Sequence, residues 1–351
     1  MQHFVWNAAP GRVVFGAGSL GSLAEEVARL GARRAVVLVT PTQADRGARI
    51  LATLGDRGAG VIARAAMHTP VEVTEAALGE LRAMEGDCLV AMGGGSAIGL
   101  GKALALRTGL PQVAVPTTYA GSEMTMLLGQ TEGALKRTIR DSAVLPEVVV
   151  YDVDLTLSMP PALTATSGLN AMAHAVEALY AVDANPVTSL MAEESLRLLA
   201  GALPRCVAGD ATARSDALQG AFLAGVCLGA VSVALHHKIC HVLGGSFGLP
   251  HAETHAVMLP HATGFNAPAA PEAMARVARA IGAADAAQGL WDLAARIGAP
   301  MSLAALGLRE EDLDRAAAIA VASPYPNPRP LTEGAIRALL GDAFAGRAPS
   351  R

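Results

Sequence analysis

Five of the nine histidines in this 351-residue chain fall within twenty residues: His236, His237, His241, His251 and His255. Imidazole titrates closer to neutrality than any other side chain. A group of them can therefore move protons, bind a carboxylate when charged, or ligate a metal when neutral. The spacing sharpens the reading. Residues four apart share a helix face, which pairs His237 with His241, His251 with His255 and, upstream, Asn170 with His174. A lone histidine is usually a core or surface residue, whereas three such pairs within apolar sequence point to a site. Lys238, next to His237, is expected either to bind a carboxylate or to lie solvated on the other face of its helix. Arg329, set among Pro324, Pro326, Pro328 and Pro330, is either a carboxylate clamp or a structural contact of the tail.

A second group of residues suits phosphate. Residues 88–92 read as a buried strand that empties into Gly93-Gly94-Gly95-Ser96. Backbone N–H groups bared at a helix start bind a pyrophosphate with no side chain in the way. Ser96 is expected to cap that helix, which also carries Lys102. A strand over residues 112–115 runs into Pro116-Thr117-Thr118-Tyr119-Ala120-Gly121-Ser122-Glu123, whose hydroxyls could meet ribose, phosphate or a nicotinamide amide. Gly16-Ala17-Gly18-Ser19-Leu20-Gly21 has the GxGxxG form of a dinucleotide fingerprint. The next strand, however, ends in Pro41-Thr42-Gln43 without the acidic residue that fingerprint needs, so a tight turn and helix start is preferred.

The elements that must carry these groups alternate at first. Strands are expected at 12–15, 34–39, 60–63, 88–92, 112–115 and 148–151, with helices at 19–30, 43–54, 73–84 and 96–107 between them. That pattern implies a parallel sheet covered on both faces. After Pro160-Pro161 the chain becomes Ala/Leu-rich, with helices expected at 167–180, 186–203, 211–237 and 271–281. The expected organisation is an α/β dinucleotide-binding domain over 1–155 and an all-α substrate and catalytic domain over 156–351. A net charge of −4 with no basic run argues against nucleic acid. The apolar stretch 221–235 is too short for a membrane span, and the N-terminus lacks the pattern of a signal peptide. Cys88, Cys206, Cys227 and Cys240 form no CxxC pair, so free thiols in a reducing cytoplasm are expected.

Taken together, several segments resemble the iron-containing (group III) alcohol dehydrogenase family over nearly the whole chain. They are Phe15-Gly16-Ala17-Gly18, Met67-His68-Thr69-Pro70, Gly93 to Ser96, Pro116 to Thr125, Ser167 to His174, His236 to His241 and Pro324 to Pro330. The resemblance implies a Rossmann-like domain followed by a helical one, in the dehydroquinate synthase-like architecture. It also implies a cleft between them for NADH or NADPH and substrate, and a homodimer. Within the family the chain is most similar to the branch that reduces maleylacetate to 3-oxoadipate in aromatic-compound catabolism. That branch implies a small dicarboxylate substrate. His241 would then lie nearest the nicotinamide as acid or electrophile, with His174, His237 and His251 forming the pocket and Asn170, Lys238, Tyr119 and Arg329 holding substrate. Gly93, Gly94, Gly95, Ser96, Thr117, Thr118, Ser122, Pro41 and Thr42 would hold the cofactor.

Three departures matter. Metal-dependent members of the family use one aspartate and three histidines, and the matching positions are Asn170, His174, His237 and His251. An amide in place of the only anionic ligand weakens the attraction for Fe²⁺ or Zn²⁺, so no metal requirement is expected. Gly99 replaces an aspartate, and Pro41 stands where an acid would favour NADH, leaving both cofactors open. The competing readings are a metal-dependent alcohol dehydrogenase of the same fold and a non-catalytic dinucleotide sensor, which would have no use for the histidines.

Overall fold

The computed structural model describes Phe4, residues 11–133 and residues 135–350. The chain divides into two compact units at Met159/Pro160. The expected boundary at 155/156 falls slightly earlier. The short turn Val153–Thr156 stays with the sheet because the Asp152 carboxylate accepts the Asp154 N–H at its start.

The first unit contains strands β1 (Arg12–Gly16), β2 (Ala35–Val39), β3 (Gly58–Ala63), β4 (Cys88–Gly93), β5 (Gln112–Pro116), β6 (Leu127–Glu132), β7 (Leu135–Arg140) and β8 (Val148–Asp152). Its helices are α1 (Leu23–Arg29), α2 (Ala44–Thr53), α3 (Val71–Ala83) and α4 (Gly95–Thr108). Six strands form one sheet in the order β1-β8-β5-β4-β2-β3, every neighbouring pair parallel. All residues of β2, β4, β5 and β8 are buried, which is why these strands read as unbroken apolar runs. From β2 the chain passes to β3 on one side, and from β4 to β5 on the other. The connections diverge between β2 and β4, so the ligand crevice of an open parallel sheet lies at the C-terminal ends of these two strands. The β6–β7 hairpin is an addition to the expected strands. Only one of its faces is covered, with Leu128 and Ile139 against Ala103 and Val144, so it carries no long apolar run.

The second unit is helical: α5 (Pro161–Tyr180), α6 (Pro186–Val207), α7 (Arg214–Ala230), α8 (Leu235–Phe247), α9 (His251–Asn266), α10 (Pro271–Ile281), α11 (Ala286–Arg296), α12 (Leu313–Val321) and α13 (Glu333–Ala345). Every residue of α5 from Thr164 to Tyr180 is buried, so it is the central helix, packed by α6, α7 and α9. The single helix expected over 211–237 is instead two, α7 and α8, bent by 93°. At the break, Ser232 gives its N–H (2.8 Å) and hydroxyl (2.9 Å) to the Asp183 carboxylate. Among the described residues no single helix is long and apolar enough to cross a membrane.

Candidate active site

The break before α8 exposes the first N–H groups of that helix, which have no intrahelical acceptor. Glu177 of α5 takes two of them, from Ala234 and His236, each at 2.8 Å. The same buried carboxylate accepts the Nδ1–H of His237 at 2.6 Å. In the neutral His237 ring, with Nδ1 donating, Nε2 accepts, and it faces His174 Nδ1 at 2.8 Å in a stacked pair of rings. His174 therefore carries its proton on Nδ1, and its Nε2 is the next atom in the chain. Glu177, His237 and His174 form a directed carboxylate–imidazole–imidazole relay, all three at most 4% exposed.

A second layer lies beside it. His236 Nε2 meets His255 Nδ1 at 3.0 Å, with the Cys240 sulfur 3.8 Å from the same His236 nitrogen. Burial, reinforced by the surrounding imidazoles, pushes His236 and His255 well below the usual imidazole range, so both are neutral near pH 7. Burial likewise holds Cys240 as a thiol. His241 and His251 are exposed, their ring centres 6.2 Å from His237 and 4.3 Å from His255. The four histidines singled out in the sequence thus come together, two buried and two accessible. Sequence reasoning missed Glu177. Its signal is present, because 170, 174 and 177 are spaced i, i+4, i+7 on one apolar helix.

The other substrate candidates fare unevenly. Asn170 is buried one turn from His174, and its Oδ1 has no hydrogen-bond partner. Lys238 is half-buried, with its Nζ 5.5 Å over the Tyr325 ring. Tyr119 is fully buried and presents no accessible surface to a substrate. Arg329 is a structural contact, the second of its two readings. It bonds the Phe265 carbonyl at 3.0 Å and lies 4.4 Å over the Phe265 ring, at the far end of α9 from His251 and His255. A cavity of about 650 Å³ beside Tyr180, Ala234 and Asn327 has no Lys or Arg in its lining, so it does not suit a dicarboxylate.

At the end of β4 a glycine turn opens α4 as the sequence leads one to expect, with one difference. The N-cap of α4 is Gly94, not Ser96, and no side chain caps the helix. A Cβ at Gly94 would sit 3.1 Å from Thr118 Oγ1 and 3.2 Å from its Cγ2. Thr117 N–H bonds the Gly93 carbonyl at 3.0 Å, which joins the two loops. Ser122 lies in the short turn Ser122–Met124. Pro41 and Thr42 are exposed in the turn after β2. Their neighbour Gln43, which the motifs do not mark, has a buried Oε1 without a partner, 3.4 Å from where a Gly93 Cβ would be. The GxGxxG segment holds no phosphate site, because the Asp152 carboxylate takes the N–H groups of Gly18 and Leu20 at 3.0 and 2.8 Å. Gly99 is also explained. A Cβ there would overlap Thr69 Oγ1, so the threonine hydroxyl fills the space a side chain would need.

The positions that match the family's metal ligands lack its one anionic donor, which weakens their hold on a divalent cation, though three imidazoles can still ligate zinc. Their donors are three imidazoles and an amide, with no anion, and the facing nitrogens of His174 and His237 are engaged with each other. The donor atoms that converge within 4.8 Å of one another belong to a different set, His236, Cys240 and His255. That set is buried and hydrogen-bonded internally.

Comparison with known proteins agrees with this architecture. Residues 10–153 match the family model of iron-containing alcohol dehydrogenase, and residues 164–344 that of the C-terminal part of the Fe-containing alcohol dehydrogenase family. The chain is 55% identical to a maleylacetate reductase of Sphingobium indicum, covering 99% of both chains. It is 56% identical to one from Rhizobium sp. (strain MTP-10005), covering 99% of this chain and 100% of the other. The crystal structure of maleylacetate reductase from Agrobacterium tumefaciens superposes with a TM-score of 0.96 at 56% identity, covering 99% and 100% of the two chains. Two family models spanning both units and full-length relatives above half identity leave one assignment: the chain belongs to the iron-containing alcohol dehydrogenase family.

Proposed function

We propose that this protein reduces maleylacetate to 3-oxoadipate with NADH or NADPH, without a metal. The observation that carries the reading is the relay Glu177–His237–His174, which engages two of the four positions that match the family's metal ligands. Maleylacetate is a 4-oxo dicarboxylate with a C2=C3 double bond conjugated to the ketone. The reduced nicotinamide, when bound, supplies a hydride to C2. The π electrons then move onto the ketone oxygen as an enolate, and a proton at C3 with collapse of the enolate gives 3-oxoadipate. The accessible His241 and His251 are suited to meet the enolate oxygen and a carboxylate as imidazolium groups. The buried relay fixes the tautomers of His237 and His174 and leaves His174 Nε2 as an acceptor that can take up a proton, while the proton for C3 comes from an imidazolium such as His241. The reading includes a homodimer, tested by its mass in solution, and a reducing compartment such as the cytoplasm, which suits four buried free cysteines.

Activity on maleylacetate, followed as NADH oxidation, is expected to be unchanged after exhaustive chelation. Asn170→Asp restores an anionic ligand and is expected to raise zinc or iron content measured by elemental analysis. Wild-type protein that carries stoichiometric metal and loses activity with it would instead indicate an alcohol dehydrogenase.

The cofactor prediction rests on the end of β2. Pro41 and the neutral Gln43 neither repel a 2′-phosphate nor pair with it. Discrimination between NADH and NADPH is therefore expected to stay within about tenfold in kcat/KM, or about 1.4 kcal/mol. A ratio far outside that range in either direction would mean that another residue reads the 2′-position.

A further inference from the structure

Lys102 is a fully buried cation that the chemistry above does not use. Its Nζ lies 2.6 Å from the Ser122 carbonyl, 2.7 Å from the Thr125 carbonyl, 2.9 Å from Thr125 Oγ1 and 2.8 Å from the Leu127 carbonyl. Three of these oxygens are main-chain groups of residues 122–127, the segment between the Thr117–Ser122 loop and the start of β6. Thr125 Oγ1 also donates to the Ser122 carbonyl at 2.9 Å, so the segment folds around a single ammonium. An ammonium is costly to bury and would be replaced by an apolar side chain if packing were its only purpose. Burial pulls Lys102 down to about 7, and the nearby Glu123 carboxylate opposes this. The oxygen cage also favours the charged form. Glu123 is itself buried and accepts the Tyr151 hydroxyl at 2.8 Å.

Lys102 belongs to α4, the helix whose first turn is Gly95 and Ser96. We propose that Lys102 is a positioning residue for the cofactor: it ties the helix that receives the pyrophosphate to the 122–127 segment, and so fixes Thr117, Thr118 and Ser122 relative to Gly93, Gly94 and Gly95. The inference rests on the reading of those two loops as the cofactor site. The tie acts before binding. Without it the segment must be ordered by the cofactor itself, which weakens affinity, while turnover of the bound complex is largely preserved.

The test is fluorescence titration with NADH, alongside steady-state kinetics and thermal melting. Lys102→Met is expected to raise the NADH dissociation constant at least about tenfold, with kcat at saturating NADH within about threefold of wild type. Lys102→Ala leaves a cage of four oxygens and is expected to recover NADH affinity in ammonium chloride. Tetramethylammonium chloride at equal ionic strength should not restore it. Thr125→Val removes one oxygen with little change of shape and is expected to weaken NADH binding severalfold, which keeps the test open should the lysine variants not fold. Lower melting temperature with unchanged NADH affinity in a folded Lys102→Met or Thr125→Val protein overturns the proposal, as does failure of ammonium to restore Lys102→Ala. Normal NADH binding by Gly94→Val would instead overturn the cofactor-site reading on which it stands.

Discussion

Gly94→Val is expected to raise the NADH dissociation constant at least about a hundredfold, a loss of roughly 2.8 kcal/mol. The N–H groups at the start of α4 can receive a pyrophosphate only while nothing projects over them. A single Cβ at this position already lies 3.1 to 3.2 Å from the Thr118 side chain. The two γ-methyls of valine need room that either Thr118 or the ligand must surrender. Gly94→Ala is expected to fall between wild type and valine, because Thr118 need yield only slightly. The measurement is NADH titration by fluorescence with circular dichroism as the folding control. An unchanged constant in a folded valine variant would remove the pyrophosphate from this turn.

Glu177→Gln should be the most damaging conservative change in the helical unit. Three N–H groups converge on the two carboxylate oxygens: His236 on Oε1, and Ala234 and His237 on Oε2. An amide has one acceptor oxygen, so whichever way it turns, its NH2 faces an N–H donor. With the NH2 at the Oε2 position, His237 loses the partner that fixes its tautomer and the hydrogen bond to His174 loses its direction. With it at Oε1, the His236 N–H at the start of α8 is repelled and His237 is displaced with it. The expected result is a fall in kcat of at least about a hundredfold, within the usual range for a proton-transfer group. NADH affinity should change little, since Glu177 lies outside the cofactor loops. Glu177→Ala leaves a buried imidazole and two helix N–H groups unpartnered and is expected to destabilise by about 3–5 kcal/mol. Steady-state kinetics and thermal melting separate the roles. Loss of stability with kcat intact would reduce Glu177 to a helix cap.

Much of this protein is local in origin and therefore legible. The strands of the parallel sheet announce themselves because burial on both faces demands unbroken apolar runs, as in Val36 to Val39 and Leu89 to Met92. The glycine turn after β4 needs only bare backbone at a helix start. Helical periodicity pairs His237 with His241 and His251 with His255, and the family resemblance, not spacing, joins His174, His237, His241 and His251 into one set. What stays hidden depends on partners distant in the chain. Residues 231–234 contain neither Pro nor Gly, and propensity continues the helix through them. Asp183 and Glu177, some fifty residues away, offer their carboxylates to the N–H groups of the break and end it there. In the same way Asp152 occupies the N–H groups of the GxGxxG turn, and Arg329 turns from substrate to Phe265. Periodicity determines which face a side chain takes, but the group that meets it there is chosen by packing. Sequence alone determined the sheet, the glycine turn that opens α4 and the helix-face pairing of the histidines, while tertiary structure decided how those pairs are wired together, because each deciding hydrogen bond joins residues far apart in the chain.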